Sequence, residues 1–254
     1  MKLNLNADLG ESFGAWTMGD DAALLPIVDS ANIACGFHAG DPKVMRDTVR
    51  AAIAADTSIG AHPAYPDLQG FGRRPMRMAP AELEATIIYQ LAALAGMART
   101  EGGMLTHVKP HGALNNQACE DPALAKCFAR SVRDFDRDLI LLVPACSALV
   151  RAGEEAGLLV ACEIFADRAY TDEGHLVPRS QAGAVLHNPA VCIDHVRRML
   201  DAGGIVSHHG KALASPIHSI CVHGDNPDAV DMARALRAAL TADGHLFAPL
   251  PEMV

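Results

Sequence analysis

Ten consecutive residues concentrate reactive side chains: His107-Val108-Lys109-Pro110-His111-Gly112-Ala113-Leu114-Asn115-Asn116. Side chains alternate between the two faces of a strand, so His107, Lys109 and His111 share a face while the chain stays extended. Pro110 and Gly112 then end the strand, one lacking an amide donor and the other freeing the backbone. Two imidazoles and an ammonium at the end of a buried strand cost free energy unless partners or a ligand compensate them. A hydrogen-bonded structural cluster would satisfy that demand, and so would a reaction centre. Recurrence of the pattern favours the second.

The same pattern recurs, with other apolar stretches ending in ionisable groups. Leu3 to Ala7 runs into Asp8-Leu9-Gly10-Glu11, and Ser30 to Cys35 runs into His38. Ser58 to Ala61 meets His62, Val160 to Phe165 meets Asp167-Arg168, and Ile217 to Val222 meets His223-Gly224-Asp225. Adjacent Arg73 and Arg74 suggest an anion or carboxylate contact. Such a set can bind a divalent metal and activate water. It can equally perform acid–base work without metal, imidazole being suited to neutral pH. His107 and His111 have the i, i+4 spacing of helical zinc sites, but Pro110 and Gly112 oppose a helix there. No G-x-S-x-G elbow is present, and Gly210-Lys211-Ala212 fails the P-loop pattern.

These groups must be positioned by alternating strands and helices. Asp or Asn at N-cap followed by Pro at N1 recurs at residues 41–42, 121–122, 188–189 and 226–227. Apolar residues at helical spacing follow the first of these, through Val44, Met45, Val49, Ala52 and Ile53. A long helix is expected from Pro80 to Thr100, and Leu139 to Val150 reads as a buried strand with the start of its helix. Residues 203–215 read as a small excursion or hairpin, His208 and His209 as exposed, and the tail after Gly244 as a packed end. About seven strand–helix units imply a parallel α/β fold, closed into a barrel rather than left open, as one domain over residues 1–254. In such a barrel the carboxyl ends of the strands form one rim. Asp8, His38, His62, Lys109, His111, Asp167, His223 and Asp225 would then converge.

Composition narrows the partners. Half of the 254 residues are hydrophobic, the formal net charge is -9 and aromatics are 4%. That balance argues against nucleic acid or an anionic membrane. The amino terminus lacks a signal-peptide core, and seven scattered cysteines form no C-x-x-C pair. Reduced thiols and a cytoplasmic location are therefore expected. Cys35 and Cys221 lie near candidate site residues, but each reads first as a small core residue.

Long motifs then identify a resemblance. Asn6-Ala7-Asp8-Leu9-Gly10-Glu11, Asn32 to Asp41, His62 to Asp67 with Gly70-Phe71-Gly72-Arg73-Arg74, and His107 to Asn116 occur in this order. Phe165 to Tyr170, Pro178-Arg179-Ser180 and Cys221 to Asp225 complete the set. From Leu5 to about Leu240 the chain resembles the LamB/YcsF family, the A subunits of bacterial ATP-dependent 5-oxoprolinases. Asn115 stands where that family usually has Tyr, and Ala64 where it often has Gly.

The resemblance implies a distorted seven-stranded βα barrel, similar to metal-dependent sugar deacetylases. It implies hydrolysis of 5-oxo-L-proline to L-glutamate coupled to ATP hydrolysis, with partner subunits B and C. On that reading Asp8, His38, His62, His111 and His223 serve water activation or metal binding, with Asp8, His38, His62 and His223 as the metal candidates. Glu11, Asp167 and Asp225 join them as catalytic candidates, and Lys109 stabilises developing negative charge. Arg73, Arg74, Arg168 and Arg179 contact carboxylate or phosphate, the guanidinium offering bidentate geometry. Lys109→Ala is expected to keep the fold while removing most turnover. Two other readings are a stand-alone metal-dependent amidohydrolase and a non-catalytic substrate-binding subunit.

Overall fold

The structure, a computed structural model, describes residues 1–222 and 229–253. Seven strands carry the architecture: β1 (Lys2–Leu9), β2 (Ser30–Ala34), β3 (Ser58–His62), β4 (Leu105–Val108), β5 (Ile140–Pro144), β6 (Val160–Phe165) and β9 (Ser219–Val222). All pair in parallel with their neighbours, and β9 pairs with both β6 and β1, which closes the barrel. The register sets Asn6 beside Ser30 on one side and Cys221 on the other.

Helices α2 (Pro42–Ala54), α3 (Pro80–Thr100), α5 (Pro122–Phe135), α6 (Ala148–Ala156), α7 (Pro189–Ala202) and α8 (Ala229–Ala242) lie among the strands in sequence order. Three of the four expected Asp/Asn-Pro starts form as read. The side chains of Asp41, Asp121 and Asn188 accept from the first-turn amides of α2, α5 and α7. Asn226-Pro227 lies outside the described residues. The hairpin expected at 203–215 is β7 (Gly204–Val206) against β8 (Ala212–Ala214).

Two helices differ from expectation, while the tail after Gly244 packs as expected. Helix α4 (Gly112–Glu120) begins directly after His111, because Pro110 precedes the helix and Gly112 opens it at φ 55. Short α1 (Asp21–Leu24) sits in a stretch read as loop. In the tail, β10 (Leu246–Phe247) adds to β1 at Lys2 and Leu3, and a 3-10 turn follows at Leu250–Glu252.

Strand alternation sorts the side chains. Leu3, Leu5 and Leu9 of β1, Ile33 of β2 and Ile164 of β6 are fully buried in the apolar cluster shared with the helices, alongside Ile87, Leu91 and Leu94 of α3. The opposite strand faces carry polar residues: Asn4, Asn6 and Asp8, then Asn32, His107 and Glu163, all buried. Gly60 permits this filling, since a Cβ there would meet the His107 ring at 2.1 Å. Two smaller apolar clusters stand apart, one of Ile140, Leu142, Ala161 and Leu250 and one of Ala169, Val177 and Ala184.

Candidate active site

Lys109 emerges one residue beyond β4 and is buried. Its Nζ lies 3.0 Å from Asp8 Oδ1, 3.1 Å from Glu163 Oε2, 3.1 Å from Asn6 Oδ1 and 3.1 Å from Cys221 Sγ. Burial disfavours the ammonium, yet Asp8, Cys221 and Glu163 outweigh it and hold the Lys109 pKa well above its ordinary value. Asn32 extends the network by donating to Asn6 Oδ1 at 2.8 Å and Asp8 Oδ1 at 2.9 Å. His107 donates from Nε2 to Asn32 Oδ1 at 3.0 Å. Burial, with Lys109 nearby, pushes His107 down to about 3, so this ring is a neutral structural member.

Above this network Glu11, His38, His62 and His111 each offer an atom, and these four atoms lie within 4.8 Å of one another. Backbone carbonyls fix two tautomers. His62 Nδ1 donates to Lys109 O at 2.8 Å, and His111 Nε2 donates to Phe71 O at 2.9 Å. The bare nitrogens, His62 Nε2 and His111 Nδ1, then face each other at 2.9 Å. Asp8 Oδ2 stands 3.3 Å from the first and Glu11 Oε1 3.4 Å from the second. Lone pairs and carboxylates so arranged repel unless a cation or proton lies among them.

His38 completes the cluster, its Nε2 3.0 Å from Glu11 Oε1 and its ring stacked on His111 with centroids 3.7 Å apart. His38 Nδ1 is buried with no partner among the described residues. Burial first, and the neighbouring imidazoles next, hold His38 and His111 well below the usual histidine range. Neutral imidazole is the metal-binding form, and three nitrogens with one carboxylate suit a borderline divalent ion such as zinc. The carbonyl contacts are the outer partners such ligands require. The donor set therefore fits a divalent metal.

A cleft of about 450 Å³ opens beside the cluster, with Asp8, His62, Arg73, Lys109, Arg168 and Arg179 in its lining. Gly72, at φ 64, lets the loop over the site press close, since a Cβ there would meet His111 at 2.8 Å and His38 at 2.9 Å. The Arg73 guanidinium lies 4.9 Å from the Phe71 ring centroid. Arg168 is buried and donates to Val177 O at 2.7 Å and Ala184 O at 3.3 Å, so it also ties down the loop after β6. Burial, then repulsion from Arg179, pushes its pKa to about 10.

The remaining expected residues sort as follows. Glu11 and His111 stand in the metal-competent set in addition to His38 and His62, while Asp8 sits alongside it. His223 and Asp225 lie outside the described residues. Asp167 is buried and near enough to bias Arg168 and His195, but it is not part of the cleft lining. The structure places Arg74 outside the cleft lining, its guanidinium paired with Asp67 and its side chain 63% exposed. Lys109→Ala, expected to spare the fold, would remove the cation that Asp8 and Glu163 share, leaving Asp8 with Asn32 and His62 and Glu163 with Asn6, so a stability cost goes with it. Cys35 is a core thiol pushed up to about 12 by burial.

Sequence reading missed Glu163, Asn6 and Asn32 as supports of Lys109. Their signal was present: an acid inside the apolar strand Val160 to Phe165, asparagines on alternate positions of β1, and Asn32 inside the apolar β2.

Comparison with known proteins gives a consistent picture. The model of the LamB/YcsF family matches residues 3–254. The A subunit of a 5-oxoprolinase from Azoarcus sp. (strain BH72) is 68% identical over 253 residues, spanning 100% of this chain and 99% of its own. The crystal structure of a lactam utilization protein from Thermus thermophilus superimposes with a TM-score of 0.91 at 42% identity, covering 98% of this chain and 99% of that one. The catalytic domain of a peptidoglycan N-acetylglucosamine deacetylase from Eubacterium rectale ATCC 33656 shares the fold at 10% identity and a TM-score of 0.51, over 98% and 87% of the two chains. No helix among the described residues is long and apolar enough to cross a membrane.

Proposed function

The chain belongs to the LamB/YcsF family, and from that premise we propose that it is the A subunit of an ATP-dependent 5-oxoprolinase. It hydrolyses the lactam of 5-oxo-L-proline to L-glutamate, with ATP cleaved to ADP and phosphate and with subunits B and C as partners. Residues 1–254 act as one catalytic barrel domain. We place the activity in the cytoplasm, in keeping with seven free cysteines. The observation that carries the reading is full-length identity with a protein of that name. The site's chemistry supports it.

A lactam carbonyl is a poor electrophile, and phosphorylation of its oxygen by ATP gives a better leaving group. Water then adds to the carbonyl carbon, the ring C–N bond breaks as the nitrogen takes a proton to become an amine, and a second water hydrolyses the resulting γ-glutamyl phosphate to glutamate and phosphate. Asp8 lines the cleft and would take the proton from water. Lys109, held as a cation beside it, faces the developing oxyanion without needing to reorganise. Arg73 and Arg179, with Arg168 where its loop contacts leave it free to donate, bind the substrate carboxylate. Glu11, His38, His62 and His111 would hold a divalent metal, which when bound lowers the pKa of water and polarises a carbonyl.

The test is glutamate release from 5-oxoproline and ATP, for this chain alone and with B and C. Turnover confined to the complete mixture is expected. No turnover in any mixture containing competent partners overturns the reading, and turnover by the chain alone would point to a stand-alone amidohydrolase.

A further inference from the structure

The arginines and Lys109 account for a carboxylate and an oxyanion, but ATP-coupled lactam opening involves a further anion, the phosphoryl group. Resting on the 5-oxoprolinase reading, we propose that Ser147 and the N-terminus of α6 form a phosphoryl subsite in the wall of the cleft.

Helix α6 starts at Ala148, after a short link from the end of β5 at Pro144. The first-turn amides of a helix have no intrahelical acceptor and carry partial positive charge, which suits a tetrahedral oxyanion. A serine at N-cap ordinarily accepts from one of them. Ser147 makes no such bond. It is only 8% exposed, and its Oγ is buried with no hydrogen-bond partner among the described residues. The Cys119 thiol lies close enough for Ser147 to favour its thiolate, without meeting hydrogen-bond geometry to Ser147 Oγ. A buried hydroxyl left unpaired is costly, and with the Ala148 and Leu149 amides beside it, the Val150 amide being bonded to Ser147 O at 3.2 Å, it is a donor set that a phosphoryl group completes.

The position is suited to the reaction. Ser147 lines the catalytic cleft together with Lys109 and Arg179. It also lines a second cleft of about 530 Å³, whose lining has Arg151 and Lys126, the latter paired with Glu155, together with Glu154 and Glu173. His175 borders both. A phosphoryl group on Ser147 can therefore belong to a ligand in either space. A nucleoside triphosphate would extend into the second cleft, and a phosphorylated lactam would stay in the first. Glu120 also borders both clefts, but it is exposed, where water and salt screen its charge.

Calorimetric titration of the purified chain with inorganic phosphate, and separately with a magnesium complex of a non-hydrolysable ATP analogue, reads this subsite without turnover. At least one probe should bind at one per chain. Ser147→Asp keeps a good N-cap while placing a carboxylate at the subsite, and should weaken binding roughly tenfold or more. Ser147→Thr retains the hydroxyl and should retain binding, and Ser147→Ala serves in place of the Asp variant if thermal unfolding shows that one to be misfolded. An analogue that binds at least tenfold tighter than phosphate identifies the nucleotide as the source. Analogue and phosphate binding alike identifies the phosphorylated lactam. Absence of binding by both probes, or undiminished binding by a folded Ser147→Asp or Ser147→Ala chain, overturns the subsite. The 5-oxoprolinase reading is judged separately, by glutamate release.

Discussion

The inside of this barrel and the layer outside it are built on different physics. Outside, Leu5 and Leu9 of β1 and Ile87 and Leu91 of α3 bury apolar area, a force that is non-directional and roughly proportional to surface. Inside, Asn6, Asn32, His107, Lys109 and Glu163 form a directional network of hydrogen bonds and ion pairs. Loss of one outer side chain leaves a cavity. Loss of one inner side chain leaves a charge or donor without its partner, and the cost spreads along the network. The outer layer specifies that a barrel forms. The inner network specifies where Asp8 and Lys109 stand at its rim.

The largest expected effect comes from Lys109→Ala. It should remove turnover by about 10³-fold and cost about 3–5 kcal/mol of stability by removing the cation that Asp8 and Glu163 share. Glutamate release and urea unfolding measure the two parts. Lys109→Met combined with Glu163→Gln should regain much of the stability and none of the turnover. A double variant as active as wild type would break the distinction between the regions.

Leu91→Ala samples the outer layer. About 2–5 kcal/mol of stability should be lost on urea unfolding, with turnover per folded molecule unchanged. A drop in turnover at a temperature where the variant is folded would show that the two regions are not separable. Gly60→Ala should cost about 1–3 kcal/mol, because the added methyl drives into the His107 ring from inside the barrel. Thermal unfolding measures it, and wild-type stability would mean that His107 has room to move. At the surface, Lys43→Ala removes an exposed i, i+4 pair with Asp47 and should leave the unfolding midpoint where it was.

Legibility in the sequence follows the same division. Outer-layer elements announce themselves through period: α2 and α5 are capped and amphipathic, and β5 is an unbroken apolar run. The rim residues were legible as strand-end punctuation, so His38, His62, Lys109 and His111 could be named. Their grouping was not, since Glu11, His38, His62 and His111 come from four separate strand-to-helix connections and only distances reveal the set. Arg73 and Arg74 are indistinguishable as neighbours in sequence, yet one lines the cleft and the other pairs with Asp67. Helix α4 was hidden because Gly112 and Pro110 read as breakers, although one opens the helix and the other precedes it.

The most direct test of the central claim is glutamate release by the reconstituted complex carrying His62→Gln, with unfolding measured alongside. The account predicts turnover reduced by about 10³-fold in a chain that remains folded at the assay temperature. Wild-type turnover by that folded variant would contradict the assignment of the Glu11, His38, His62 and His111 cluster to the reaction.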